Sequence, residues 1–157
     1  MKKIITILIC FLSLGIHFSF APDRSNEELI WEEWNKGYPR AVKEKKIVLV
    51  DAYTDWCGWC KKMDRDTYTN PDIIKKINKH FVPIKFNPEV TQTYFVDGNS
   101  YSNFELLSML TRNQRTGYPT TFFIITTKRT LFVNPGYEDP TKFSATLDRI
   151  IAESEAQ

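Results

Sequence analysis

Cysteine and histidine are scarce in this chain, with three cysteines and two histidines in 157 residues. A closed structural zinc site needs about four nitrogen or sulfur ligands. The residues available are Cys10, His17, Cys57, Cys60 and His80, and the first two fall in a segment that does not belong to the domain, so zinc is left with too few ligands. The same scarcity excludes a disulfide scaffold, because the two remaining cysteines are three positions apart. An excess of one charge is also lacking: 21 Lys and Arg face 19 Asp and Glu, and Lys2 and Lys3 account for the difference. With no basic stripe carrying interleaved aromatics, nothing points to nucleic-acid binding. The composition, 42% hydrophobic and 14% aromatic, is too rich in large apolar residues for disorder and suits a single core at this length.

Residues 1–21 stand apart. Lys2 and Lys3 precede a stretch, residues 4–20, free of Asp, Glu, Lys and Arg, and Ala21 closes it, which is the layout of a secretory signal. Ser19 and Ala21 supply the small residues of a cleavage pattern, whereas Pro22 would follow the cut. Cleavage nearby and retention as an N-terminal membrane anchor therefore both stay open. Bulky Ile9 argues against a lipid on Cys10. Residues 22–157 form the domain, and its expected place is the periplasm or cell envelope.

Cys57 and Cys60 follow an apolar, β-branched run, residues 47–50, that reads as a buried strand. Residues 61–67 contain no Gly or Pro and are good helix formers, so the pair sits where a helix begins. A helix N-terminus presents free N–H groups and partial positive charge, which favour a thiolate. Cys57 is thus the expected nucleophile, and Cys60, one turn in and less exposed, the residue that resolves a mixed disulfide. A purely structural bridge is unattractive, since closing a loop of about four residues contributes only about 2 kcal/mol by chain entropy, against roughly 3 for 15 residues. Redox exchange is the preferred reading.

The stretch Val50-Asp51-Ala52-Tyr53-Thr54-Asp55-Trp56-Cys57-Gly58-Trp59-Cys60-Lys61 resembles the active-site segment of the thioredoxin superfamily. It is most similar to secreted thioredoxin-like proteins and to the periplasmic reducing domain of membrane thiol:disulfide interchange proteins. Gly117-Tyr118-Pro119-Thr120, ahead of the apolar residues 122–125, resembles the cis-proline segment of that superfamily, and Gly136 its late glycine. The resemblance runs from about residue 45 to 151. It implies an α/β thioredoxin-like fold, a central mixed β-sheet flanked by helices on both faces, with no cofactor beyond a redox-active Cys57–Cys60 disulfide.

Residues 27–45 read as a helix capped by Ser25 or Asn26 and interrupted near residues 37–39, with Trp31 and Trp34 as core anchors. Residues 43–46 are a solvated charge run. Asn70-Pro71 restarts a helix, residues 81–86 form a strand, and residues 89–103 depart from the minimal pattern. There Asp97-Gly98 between aromatic and β-branched residues predicts a β-hairpin, expected as a surface flap that either shapes a partner surface or covers a sheet edge. A short helix capped by Asn103, an antiparallel pair over residues 120–126 and 131–133, and a helix opened by Asp139-Pro140 complete the domain.

The resemblance also implies roles residue by residue. Asp51, six before Cys57, matches a buried acid that assists proton transfer at the second cysteine; burial would raise its pKa and suit it to act as a base on Cys60. A strand-end Asp in water is the bland alternative. Lys85 matches the lysine that accompanies that acid, and a surface lysine is its alternative. Pro119 should be cis and leave the Tyr118 backbone free to pair with a substrate strand. Trp56 and Trp59 would form an apolar collar, so Trp56, Gly58, Trp59, Tyr118, Pro119 and Thr120 are the expected substrate-binding residues.

Poise is open, because known Cys-x-x-Cys proteins span about −270 to about −120 mV. The lack of a His between the cysteines removes one group that stabilises the thiolate, which favours a reductant. The expectation is an extracytoplasmic thiol:disulfide oxidoreductase fed by a membrane electron donor and acting on protein disulfides. A polypeptide-binding or chaperone-like module with idle cysteines, and a subunit of an envelope complex held by residues 1–21, are the alternatives.

Overall fold

The computed structural model describes residues 28–156; the expected signal or anchor, and the Ser25 or Asn26 cap, lie outside them. Among the described residues no helix is long and apolar enough to cross a membrane.

Four strands make the central sheet: β1 (Ile47–Ala52), β2 (Phe81–Phe86), β5 (Thr120–Ile125) and β6 (Thr130–Pro135), in the order β2-β1-β5-β6. β1 runs parallel to β2 and antiparallel to β5, and β5 antiparallel to β6, so the sheet is mixed as expected. Residues along β1 alternate between two apolar layers, following the period of two of any strand. Val48, Val50 and Ala52 join Trp34, Ile84, Leu106 and Phe122 on one face. Ile47 and Leu49 join Met63, Ile73, Ile77, Phe123, Phe143 and Leu147 on the other. The first layer is covered by helices α1 (Trp34–Glu44) and α4 (Asn103–Thr111), the second by α2 (Gly58–Asp66), α3 (Pro71–His80) and α5 (Pro140–Glu155). Asn70 caps α3 through the Asp72 and Ile73 amides, and Asp139 caps α5 through those of Thr141 and Lys142, each followed by proline in the first turn.

Three local expectations need correction. The first helix starts at Trp34 and not near residue 27, because residues 28–33 are extended along β2: the Glu32 amide donates to Pro83 O at 2.9 Å, and the Lys85 amide to Glu32 O at 3.1 Å. Nor is it interrupted at residues 37–39. Pro39 lies inside α1, and Gly37 packs so close to β2 that a Cβ there would sit 2.8 Å from Ile84 Cγ1. The second concerns α4, which is capped by Ser102 in a capping box with Glu105, while Asn103 turns its amide to Pro88 O.

The third concerns residues 89–103. A hairpin is present, β3 (Thr93–Val96) and β4 (Asn99–Ser102), with Asp97 and Gly98 both at positive φ in its turn. It is docked rather than loose, and its Tyr94 meets Phe86 of the edge strand β2 edge-on at 5.3 Å. Tyr94 and Val96 are buried in the first apolar layer, and β3 is docked on α1 by Trp34 Nε1 to Phe95 O (3.1 Å) and Asn35 Nδ2 to Thr93 O (2.8 Å).

Candidate active site

Cys57 is the N-cap of α2, and its sulfur accepts a hydrogen bond from the Cys60 amide at 3.1 Å. The two cysteines form a disulfide with Cα atoms 5.3 Å apart. The turn places them there because β1 ends at Ala52 and the Cys57 amide bonds back to Thr54 O, so the helix starts one residue after the first sulfur. In this oxidised state both cysteines are nearly buried, 4% and 3% exposed, so the expected contrast in exposure is absent.

Odd-numbered residues of β1 face α2, and the third of them is Asp51. It is 1% exposed, and its strand partners are Lys85 on β2 and Thr121 on β5. Lys85 Nζ reaches Asp51 Oδ2 at 2.5 Å and Asp64 Oδ1, on α2, also at 2.5 Å. The ammonium also lies over the rings of Trp31, Tyr53 and Tyr68, 4.6 to 5.3 Å from their centroids. Burial pushes the Asp51 carboxyl above its ordinary range against the pull of Lys85. Burial is the largest single influence on the lysine and would lower it, but the charges and hydrogen bonds of Asp51 and Asp64 together outweigh it and Lys85 moves up. Asp51 is therefore not a strand-end carboxylate in water, while the Lys85 side chain is partly buried, 21% exposed. A cavity of about 700 Å³, lined by Trp31, Asp64, Tyr68 and Lys85 among others, opens beside the pair.

The rim is aromatic. Trp56 is 68% exposed, donates from Nε1 to Glu89 Oε1 at 2.9 Å and meets the Tyr118 ring edge-on at 6.0 Å. Trp59, 58% exposed, leans on Tyr137 at 5.4 Å. Between them Gly58 faces open space. The Tyr118–Pro119 bond is cis, and Pro119 O accepts from the Gly136 amide at 2.8 Å, which joins two landmarks far apart in sequence. Thr120, among the expected substrate-binding residues, has a fully buried side chain whose hydroxyl donates to Gly117 O at 2.7 Å, bracing the cis-proline loop.

Sequence reasoning missed Asp64, the three rings around Lys85 and the Glu89 contact. A signal existed for two of these. Asp64 lies four after Cys60, hence on the same helix face, and Glu89 follows the β2 residues that already carry Lys85. Among the described residues no group of three or more His, Cys, Asp or Glu side chains is arranged to hold a metal.

A mixed sheet flanked by helices, a disulfide at a helix N-terminus and a cis-proline loop define a protein of the thioredoxin superfamily. The family described as "Thioredox_DsbH: Protein of unknown function, DUF255" matches residues 19–152, and the chain belongs to it. A thioredoxin from Thermus thermophilus superposes with a TM-score of 0.64 at 17% identity, covering 82% of this chain and 92% of that one. The structure titled "DsbH Oxidoreductase" gives 0.60 at 16% identity, covering 86% and 92%. Protein disulfide-isomerase 5-2 of Arabidopsis thaliana is 26% identical over 89 residues, 55% of this chain but only 20% of that protein. The chain thus belongs to a family of thioredoxin fold and carries a Cys57–Cys60 disulfide at the start of α2.

Proposed function

We propose that the protein is an extracytoplasmic thiol:disulfide oxidoreductase, working as a reductant through a mixed disulfide. The observation that supports this best is the disulfide at the start of α2 with a buried carboxylate, Asp51, on the sheet face that α2 covers. In the reduced protein the Cys57 thiolate, favoured by the α2 amides, attacks a client disulfide. A Cys57–client bond forms, and the other client sulfur leaves as a thiolate that takes a proton. Cys60 then gives its proton to Asp51 and attacks Cys57, closing the 57–60 disulfide while the second client sulfur leaves with its electron pair. Two electrons pass from the dithiol to the client. A dithiol donor upstream, on this reading a membrane thiol:disulfide carrier, restores the pair.

The remaining site residues fit this scheme. Trp56, Gly58 and Trp59 offer an apolar surface to extended polypeptide, and the half-buried Tyr118 offers backbone beside buried Pro119. Lys85 holds the Asp51 charge during the transfer. Residues 1–21 would deliver the domain to the periplasm or cell envelope, cleaved or as an anchor.

Reduction of insulin with dithiothreitol as donor tests the reading. Activity is expected for the wild type and is expected to vanish in Cys57→Ser; activity surviving that change refutes it. The exposure of Trp56 and Trp59 also suits a chaperone-like module with idle cysteines. Suppression of client aggregation that is indifferent to Cys57→Ser and Cys60→Ser would favour that second reading.

A further inference from the structure

Tyr68 is a buried hydroxyl that the scheme above leaves unused. It lies between α2 and α3, 4% exposed, with its ring set edge-on to Trp31 at 4.8 Å and to Phe143 at 5.5 Å. Its amide bonds to Met63 O at 3.0 Å, which fixes the backbone from which the ring projects. On the sheet side it meets Asp51 and Thr121, which are opposite each other across β1 and β5. Lys85 occupies Asp51 Oδ2, whereas Asp51 Oδ1, the Tyr68 hydroxyl and Thr121 Oγ1 are all buried without a hydrogen-bond partner. An unpaired carboxylate oxygen with two unpaired hydroxyls beside it is costly.

We propose that Tyr68 is a positioning residue for Asp51, donating its hydroxyl hydrogen to Oδ1 when the cysteines are reduced and the carboxylate carries charge. This rests on the reading of Asp51 as the proton acceptor for Cys60. The phenol cannot serve as acid or base itself, because burial and then the Asp51 charge push it well above the ordinary tyrosine value. It remains a donor across the working range. The groups facing Asp51 are then Lys85 from β2, Asp64 from α2, Thr121 from β5 and Tyr68. Those facing Tyr68 are Asp51, Asp64, Thr121 and the Lys85 ammonium, 5.3 Å from its ring. Lys85 on one oxygen and Tyr68 on the other favour the ionised carboxylate, the form that accepts the Cys60 proton. After transfer, Asp51 returns that proton towards the cavity that Tyr68 and Lys85 line.

The test uses Tyr68→Phe in the full chain, which removes one oxygen and keeps the ring contacts. The readout is the infrared carboxyl band of Asp51 in the reduced protein, assigned by its loss in Asp51→Asn. The Asp51 titration is expected to move up by about one pH unit in Tyr68→Phe, the size of one hydrogen bond to a charged group. Resolution of a preformed Cys57–client disulfide should slow by up to tenfold below that pH, with the attack by Cys57 unchanged. In the Asp51→Asn background the same change should leave resolution unaffected. An Asp51 titration that is the same with and without the hydroxyl overturns the inference. The reading beneath it fails separately, if Asp51→Asn resolves the mixed disulfide at the wild-type rate.

Discussion

Val48, Val50 and Ala52 point to one face of the sheet, where they meet Trp34, Leu106 and Phe122; Ile47, Leu49 and Asp51 point to the other, where the third place in the row is a carboxylate. Among the described residues, Asp51 is the one charged side chain in the buried class. The apolar face is closed by packing, with Gly37 drawing α1 against Ile84 and the hairpin adding Tyr94 and Val96, and the buried indole N–H of Trp34 is satisfied by Phe95 O. The face beneath α2 instead carries a lysine between two carboxylates and several unpaired polar atoms. A fold that needed only stability would fill both faces alike. On the proposed function, the difference marks where chemistry is placed at the expense of packing.

Truncation on the apolar face should produce the largest loss of stability. Trp34→Ala removes a fully buried indole and its bond to Phe95 O, and should destabilise by about 3–5 kcal/mol in chemical denaturation. The folded fraction should keep its thiol exchange rate. On the other face, Lys85→Met should cost about 3 kcal/mol near neutral pH, because it strands a buried charge. That loss should shrink as the solution is acidified and Asp51 takes up a proton.

Asp51→Asn should act in the opposite direction. The native carboxyl sits above its unfolded value, so the folded chain binds the proton more tightly. Its favourable contribution is complete below the ordinary aspartate range and is lost as pH rises through the folded value. Above that window the asparagine variant should be more stable by about 1–3 kcal/mol, and below it the two should converge. Thermal melts from pH 3 to 9 measure this; a variant less stable at every pH would contradict the sign. The smallest effect belongs to the rim. Glu89→Gln weakens an exposed contact to Trp56 and should leave stability within about 0.5 kcal/mol, while loosening the indole seen by fluorescence.

Much of this was legible in the sequence because the signals were local. The β-branched run before Cys57, the caps Asn70 and Asp139 with their prolines, and Asp97-Gly98 each determine their own neighbourhood. Residues 28–33 misled because Leu29, Ile30 and Trp34 fit a helical period, yet Ile30 is 71% exposed and the backbone is captured by the edge of β2. That partner is some fifty residues away, and no local pattern encodes it. The hairpin was visible, but its docking on α1 depends on Trp34 and Asn35, which read only as helix residues. Asp64 reads as a solvated charge on a polar helix until the fold brings Lys85 beside it. The pairing of Asp51 with Lys85 was implied by the resemblance, but the third member of the group, Asp64, comes into view only with the tertiary structure.

The account depends most on Cys57 forming a covalent bond to a client sulfur that Cys60 then releases. The direct measurement is to incubate reduced Cys60→Ser protein with a disulfide-bonded client and weigh the product by intact mass. A stable one-to-one adduct that maps to Cys57 and dissolves on adding dithiothreitol is the predicted result. No adduct, or one equally abundant in Cys57→Ser, would contradict it.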